Sequence, residues 1–297
     1  MNRRQSGFLL LLVFLAAGCQ PPTPESQPYD GPTDPMWKVI SDINFNSAKV
    51  PSIYAPLEYK ASLVDKQHDN HVSTISGDGS LLFRRPRSLL LRGNKDLAGE
   101  VFAIGSNDTE FWMKVGGDVD TTWWGHYANL GKPGCKPIPI EPDLLVEVLG
   151  VSIFNSDFLQ QPVPVMRFCN FADAYIFVWN RLEGDHWVAV KEIWYDRVTK
   201  LPEMVLLFDP DGRTILRAKL SKPVPLEVPD TPQERWPMVA SRYELTFPDD
   251  GSAITFWFTD DYAVSHKGIP RASSFNRPEP DTKQVIQIDE DVGGIAH

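Results

Sequence analysis

Six histidines, three cysteines and 39 acidic side chains are the groups of this 297-residue chain with the most chemistry to offer. His68 and His71 stand three apart in Gln67-His68-Asp69-Asn70-His71. On a helix that spacing would let two imidazoles share a metal. The stretch is polar and turn-like, however, and it lacks a third ligand at standard spacing. His126 and His186 are isolated within strand-like runs and read as hydrogen-bonded structural residues. The acidic turns at 76–79, 105–108, 209–212 and 249–251 do not match the spacing of a calcium loop. No Gly-x-Ser-x-Gly, His-Glu-x-x-His or phosphate-cradling glycine loop occurs. The expectation is a protein with no catalytic residues, no metal and no cofactor. Cys135 and Cys169 could form a disulfide in an oxidising compartment or stay as two buried thiols, and the sequence leaves both open.

The composition sets the class. The chain is 42% hydrophobic and 23% charged, as in an ordinary globular protein, which excludes a multi-pass membrane protein and a wholly disordered chain. A formal charge of −10 argues against a nucleic-acid partner, which needs a basic face to neutralise phosphates. With 26 prolines, 20 glycines, nine Trp and 16 Phe, the chain reads as an aromatic-rich, well-punctuated β protein.

The N-terminus carries the sharpest signal. Arg3 and Arg4 precede an apolar run from Phe8 to Ala17, too short for a stable bilayer span and suited to a signal-peptide core. Its end, Leu15-Ala16-Ala17-Gly18-Cys19, resembles the lipobox of bacterial lipoproteins. That resemblance implies cleavage after residue 18, lipidation at Cys19 and acyl chains that anchor the protein to a membrane. Gln20 in place of Asp favours, by the retention rule of such lipoproteins, the periplasm-facing side of the outer membrane. Residues 19–34, rich in proline, read as an extended tether. The remainder, 35–297, reads as one domain with a C-terminal tail from about 266, expected to act as a monomer.

Two helices are expected. The first starts at Pro35, capped by Asp34, with Met36, Val39, Ile40 and Ile43 on one face. The second covers Glu141–Leu149, with Gly150 to end it. From residue 57 the apolar pattern has period two. It predicts strands at 57–66, 70–84, 87–93, 99–105, 109–115, 121–128, 165–170, 173–181, 186–197, 202–208, 213–221, 239–247, 253–260 and 283–288. The fold class is therefore mainly β (α+β): one large curved antiparallel sheet, a half-barrel lidded by a few helices. Charged residues orient its faces. Arg84, Arg92, Lys114, Arg217 and Lys219 point outward, which turns Leu81, Phe83, Leu89, Leu91, Phe111, Met113, Val115, Leu216 and Leu220 inward. These nine form the predicted hydrophobic ligand cavity. Trp123 and Trp124 must point to opposite faces.

Four stretches resemble the lipoprotein localisation factor family, with its LolA/LolB-like fold. They are Ile43-Asn44-Phe45-Asn46; Gly79–Pro86 running into Ser88–Arg92; Phe102–Asp108 leading to Phe111-Trp112-Met113; and Lys191–Asp196 before Leu201-Pro202. The resemblance implies an N-terminal helix, an incomplete antiparallel barrel and a concave apolar face that holds the acyl chains of a lipoprotein or lipid. The alternatives are an envelope scaffold with a filled core and, third, an envelope carbohydrate-active enzyme.

Overall fold

The computed structural model describes residues 28–65, 71–95, 99–117, 119–130, 132–136, 138, 142–155, 157–249, 251–261, 263–265 and 271–292. Cys19, the leader and His68 lie outside them, and of His71 only the backbone is described.

Helix α1 spans Met36–Ala48 and buries Val39, Ile40 and Ile43 on the predicted face, with Met36 half-buried there and Ser47 buried as well. Its expected cap is a correction. Asp34 makes no capping bond, because its carboxylate goes to Lys200 Nζ at 3.1 Å and Lys38 Nζ at 3.4 Å. An ammonium offers a stronger, charge-assisted partner than a backbone N–H. At the other end Arg85 donates to the Ser47, Val50 and Val151 carbonyls, satisfying acceptors that the helix leaves open. Helix α2 spans Pro142–Val148 and ends at Gly150, whose φ of +69° suits a residue without Cβ.

The strands are β1 Ser52–Asp65, β2 His71–Arg84, β3 Ser88–Lys95, β4 Gly99–Ser106, β5 Glu110–Val115, β6 Thr121–His126, β7 Val163–Cys169, β8 Ala174–Glu183, β9 His186–Asp196, β10 Pro202–Phe208, β11 Thr214–Glu227, β12 Met238–Phe247, β13 Ser252–Phe258, β14 Ala263–Val264 and β15 Gln284–Gln287. They form one 15-stranded sheet, curved but not closed into a barrel. The order is β15-β6-β5-β4-β3-β2-β1-β13-β12-β11-β10-β9-β8-β7, with β14 pairing β1 and β11. Two antiparallel meanders, β1–β6 and β7–β13, are thus joined along one seam, where Leu57–Ser62 pair with Phe258–Ala253. The sheet is mixed where wholly antiparallel pairing was expected. β15 runs parallel to β6, and β14 parallel to β11, because each is a short return segment laid along a strand already in place.

The turns mostly follow their chemistry. Asp209 accepts from the Asp211 and Arg213 amides, and Asp196 from those of Val198 and Thr199. The expected turn at Ser76–Gly79 is a correction, since β2 runs straight through it. Gly77 and Gly79 are there for close approach. A Cβ on them would fall 1.9 Å from the Asn94 carbonyl oxygen and 2.0 Å from that of Arg92.

The concave face carries the main core, which α1 and α2 cover. All nine inward-facing residues of the sequence analysis belong to it or, for Val115, pack against it. On the opposite face Leu90 and Trp112 form a second cluster with Phe275 of the tail, and Trp123 and Trp124 divide between the two faces as expected. Asp289 fastens the tail. Its carboxylate accepts from Asn129 at 2.8 Å, His126 Nδ1 at 2.9 Å and Gln287 at 3.1 Å. Burial alone would raise that carboxyl, but these bonds outweigh it and hold it well below the usual carboxylate range.

Candidate functional site

A groove of about 520 Å3 opens where the C-terminal ends of α1 and α2 meet β9–β12. Val50, Leu149, Val151, Tyr195, Leu220 and Val239, all buried members of the main core, form its floor. Glu203, Met204, Lys219, Lys222 and Met238 form the rim. The groove therefore reaches the concave core from outside, through a charged and sulfur-lined mouth.

Local backbone chemistry creates the opening. Lys222 has φ +53° and precedes Pro223, so β11 kinks there, and Ser241 donates to the Lys222 carbonyl at 2.6 Å. Gly150 lies on the floor, where a Cβ would meet Pro202 Cγ at 2.3 Å and Leu220 Cδ2 at 3.1 Å. Lys200, with φ +58°, turns its buried ammonium to Asp34 and lies 4.7 Å from the Tyr175 ring centroid. Lys200 and Lys38 hold the Asp34 carboxyl below the usual range. On the rim, desolvation pushes the Glu203 carboxyl up; Asp196 and Asp173 add to the rise and Lys219 opposes it.

The nine expected cavity residues are brought together on one face, yet Leu220 alone of them lines the groove. The others, from β2–β5 and the start of β11, belong to the same core, or pack against it in the case of Val115, outside the groove lining. The wall from β9, β10 and β12 and the α1 terminus lies outside the set expected from the sequence. Lys222-Pro223-Val224-Pro225, with prolines interrupting a strand, was the available signal.

Cys135 and Cys169 are free thiols. Cys169 ends edge strand β7, whereas the Lys136 amide next to Cys135 bonds the Ile288 carbonyl beyond β15, so the two belong to opposite ends of the strand order. His126 bonds Asp289, and His186 is exposed beside Asp185. Among the described residues no group of three or more His, Cys, Asp or Glu is arranged to hold a metal.

No family model and no curated protein matches this sequence. Solved structures do match the fold. A DUF1329 family protein from Desulfovibrio piger is 10% identical with a TM-score of 0.50, over 82% of this chain and 100% of that one. That likeness is one of fold: a large curved sheet with two helices. Two further structures align with lower scores. They are a putative outer membrane lipoprotein-sorting protein domain from Vibrio parahaemolyticus (12% identity, TM-score 0.42) and a LolA superfamily protein from Nitrosomonas europaea (11%, 0.41). Each covers 75% of this chain and 91% of its own. Within this fold the groove is a side entrance to the concave face, placed between helix ends and the kinked β11.

Proposed function

We propose that this chain is a lipid-anchored envelope protein that holds an acyl chain of a lipoprotein or lipid in the groove, without covalent chemistry. The observation that carries the reading is the groove itself. Its floor is continuous with the apolar concave core, and its volume of about 520 Å3 falls in the range of about 300–1,000 Å3 usual for small-molecule sites. Burial of apolar ligand surface contributes about 25 cal/mol per Å2. In this reading Leu81, Phe83, Leu89, Leu91, Phe111, Met113, Val115 and Leu216 are the inner wall behind Leu220, covered by α1 and α2. The lipid anchor at Cys19, exposure to the periplasm and the outer membrane follow from the leader and Gln20.

Two measurements test the binding. Organic extraction and mass spectrometry of the purified mature chain should recover lipid. Met238→Asp and Ala240→Phe, both on the groove wall, should leave the fold intact and weaken uptake of a fluorescent fatty acid tenfold or more, worth about 1.4 kcal/mol. No extracted lipid together with no uptake by the wild type overturns the reading. That result favours the scaffold alternative, which the burial of the concave residues also supports.

A further inference from the structure

Four large apolar side chains are exposed at the end of the molecule where the groove opens. Trp37 is 72% exposed, Phe45 66%, Phe171 77% and Val198 70%. Trp37, Ser41, Phe45 and Ala48 form one exposed, uncharged stripe along α1, in which Trp37 and Phe45 are about 12 Å apart along the axis. Phe171 and Val198 cap the β7–β8 and β9–β10 turns. Contacts bind these elements together. The Arg197 amide donates to the Asp173 carbonyl at 3.0 Å, joining the two turns, and Asn46 next to Phe45 donates to Thr199 at 3.4 Å. Ala172, Thr199 and Asn46, neighbours of three of the exposed side chains, line the groove.

The N-terminal segment leaves from the same place. Tyr29 donates its amide to the Asn170 carbonyl at 3.1 Å, and its ring lies 3.7 Å from the Arg197 guanidinium carbon. Within the stretch expected to be an extended tether, Tyr29 and Asp34 are thus both fastened to the β7–β8 and β9–β10 end of the sheet. Cys19 precedes Pro28 by nine residues, a reach of at most about 32 Å. Several charges on this end pair with one another: Arg197 with Asp173, Lys200 with Asp34, and Lys38 with Asp34 and Asp42; Lys49 Nζ lies 3.9 Å from the Phe45 ring centroid, and Glu203, Lys219 and Lys222 stand on the groove rim. Large apolar tips set among such charges match the layered apolar and polar surface of a bilayer.

We infer that this end is a bilayer-contact face: Trp37, Phe45, Phe171 and Val198 enter the lipid headgroup region and hold the groove mouth against the membrane. The choice of a bilayer over a protein rests on reading Cys19 as the lipid anchor, since that anchor places a membrane within reach of this end. Attraction here is apolar, so it should work on uncharged lipid and survive salt.

The test uses the unacylated mature chain beginning at Gln20, which keeps every described residue, and flotation with phosphatidylcholine vesicles. The wild type should float, equally at about 0.1 M and about 1 M salt. The variant W37S/F45S/F171S/V198S should keep its circular dichroism and thermal midpoint and lose flotation at least tenfold. A wild type that does not float, or a variant that floats equally well, overturns the inference. So does a wild-type dimer that the variant dissolves without any flotation, which would mark a face for a second copy of the chain. Mass spectrometry of the N-terminal peptide separates the two readings. An unacylated Cys19 in the cell removes the anchor, while variant-sensitive flotation keeps the contact face.

Discussion

Gly150 is the position where one added methyl reaches both the fold and the groove. Its backbone is left-handed, and a Cβ would lie 2.3 Å from Pro202 Cγ. Gly150→Ala should cost about 1–3 kcal/mol from the strained backbone, with additional loss as Pro202 is displaced. Chemical denaturation reads the first effect and fatty-acid titration the second; an unchanged midpoint would show that the floor yields freely. Asp289 governs a different part. Its carboxyl is held low in the fold, so its contribution is present above the unfolded value of about 3.9 and is lost as pH falls. Asp289→Asn should cost about 1–3 kcal/mol at neutral pH, since the donors from His126, Asn129 and Gln287 lose their charged acceptor. Urea midpoints from about pH 7 down to about pH 3 should fall more steeply for the wild type than for the variant. Parallel curves would count against the assignment.

Among the elements, strands with charge on one face were easiest to read. Arg84, Arg92, Lys114, Arg217 and Lys219 fixed the inward set because a period of two leaves no other choice. Val39, Ile40 and Ile43 identified the buried face of α1 in the same way, at helical spacing. Gly77 and Gly79 misled, since glycine for a turn and glycine for close strand approach look alike in one sequence. Replacing Gly79 by Ala separates these roles. In a turn the change would be mild, but here the Cβ meets the Arg92 carbonyl, so it should cost about 1–3 kcal/mol and raise amide exchange in β2 and β3. Undisturbed exchange in β3 would contradict the contact. The groove was not legible, because its wall joins segments that only the folded order brings together: the end of α1, the residues after α2, and β9–β12. The tail was seen only as an addition, although Phe275 completes a buried cluster with Trp112 and Leu90.

At the scale of the whole molecule, the strand order separates the two thiols. Labelling of the unfolded, unreduced chain from Gln20 should modify both Cys135 and Cys169, and a chain that takes up no label would mean that the bridge forms after all. The order has another consequence. Residues 127–162 connect the two meanders, yet no strand lies among the described residues of that stretch. Cutting the chain at the exposed Phe158–Gln160 turn would leave every ladder intact, with one fragment ending after α2 and the other starting before β7. The pieces would still share the seam from Leu57 to Ser62 and the β15–β6 pairing. A nicked molecule of this kind is a heterodimer, and its stability acquires a concentration dependence that the intact chain lacks. Co-expressed halves should then find each other through a row of backbone amides, making the protein a candidate for split reporters that reassemble along a β-ladder.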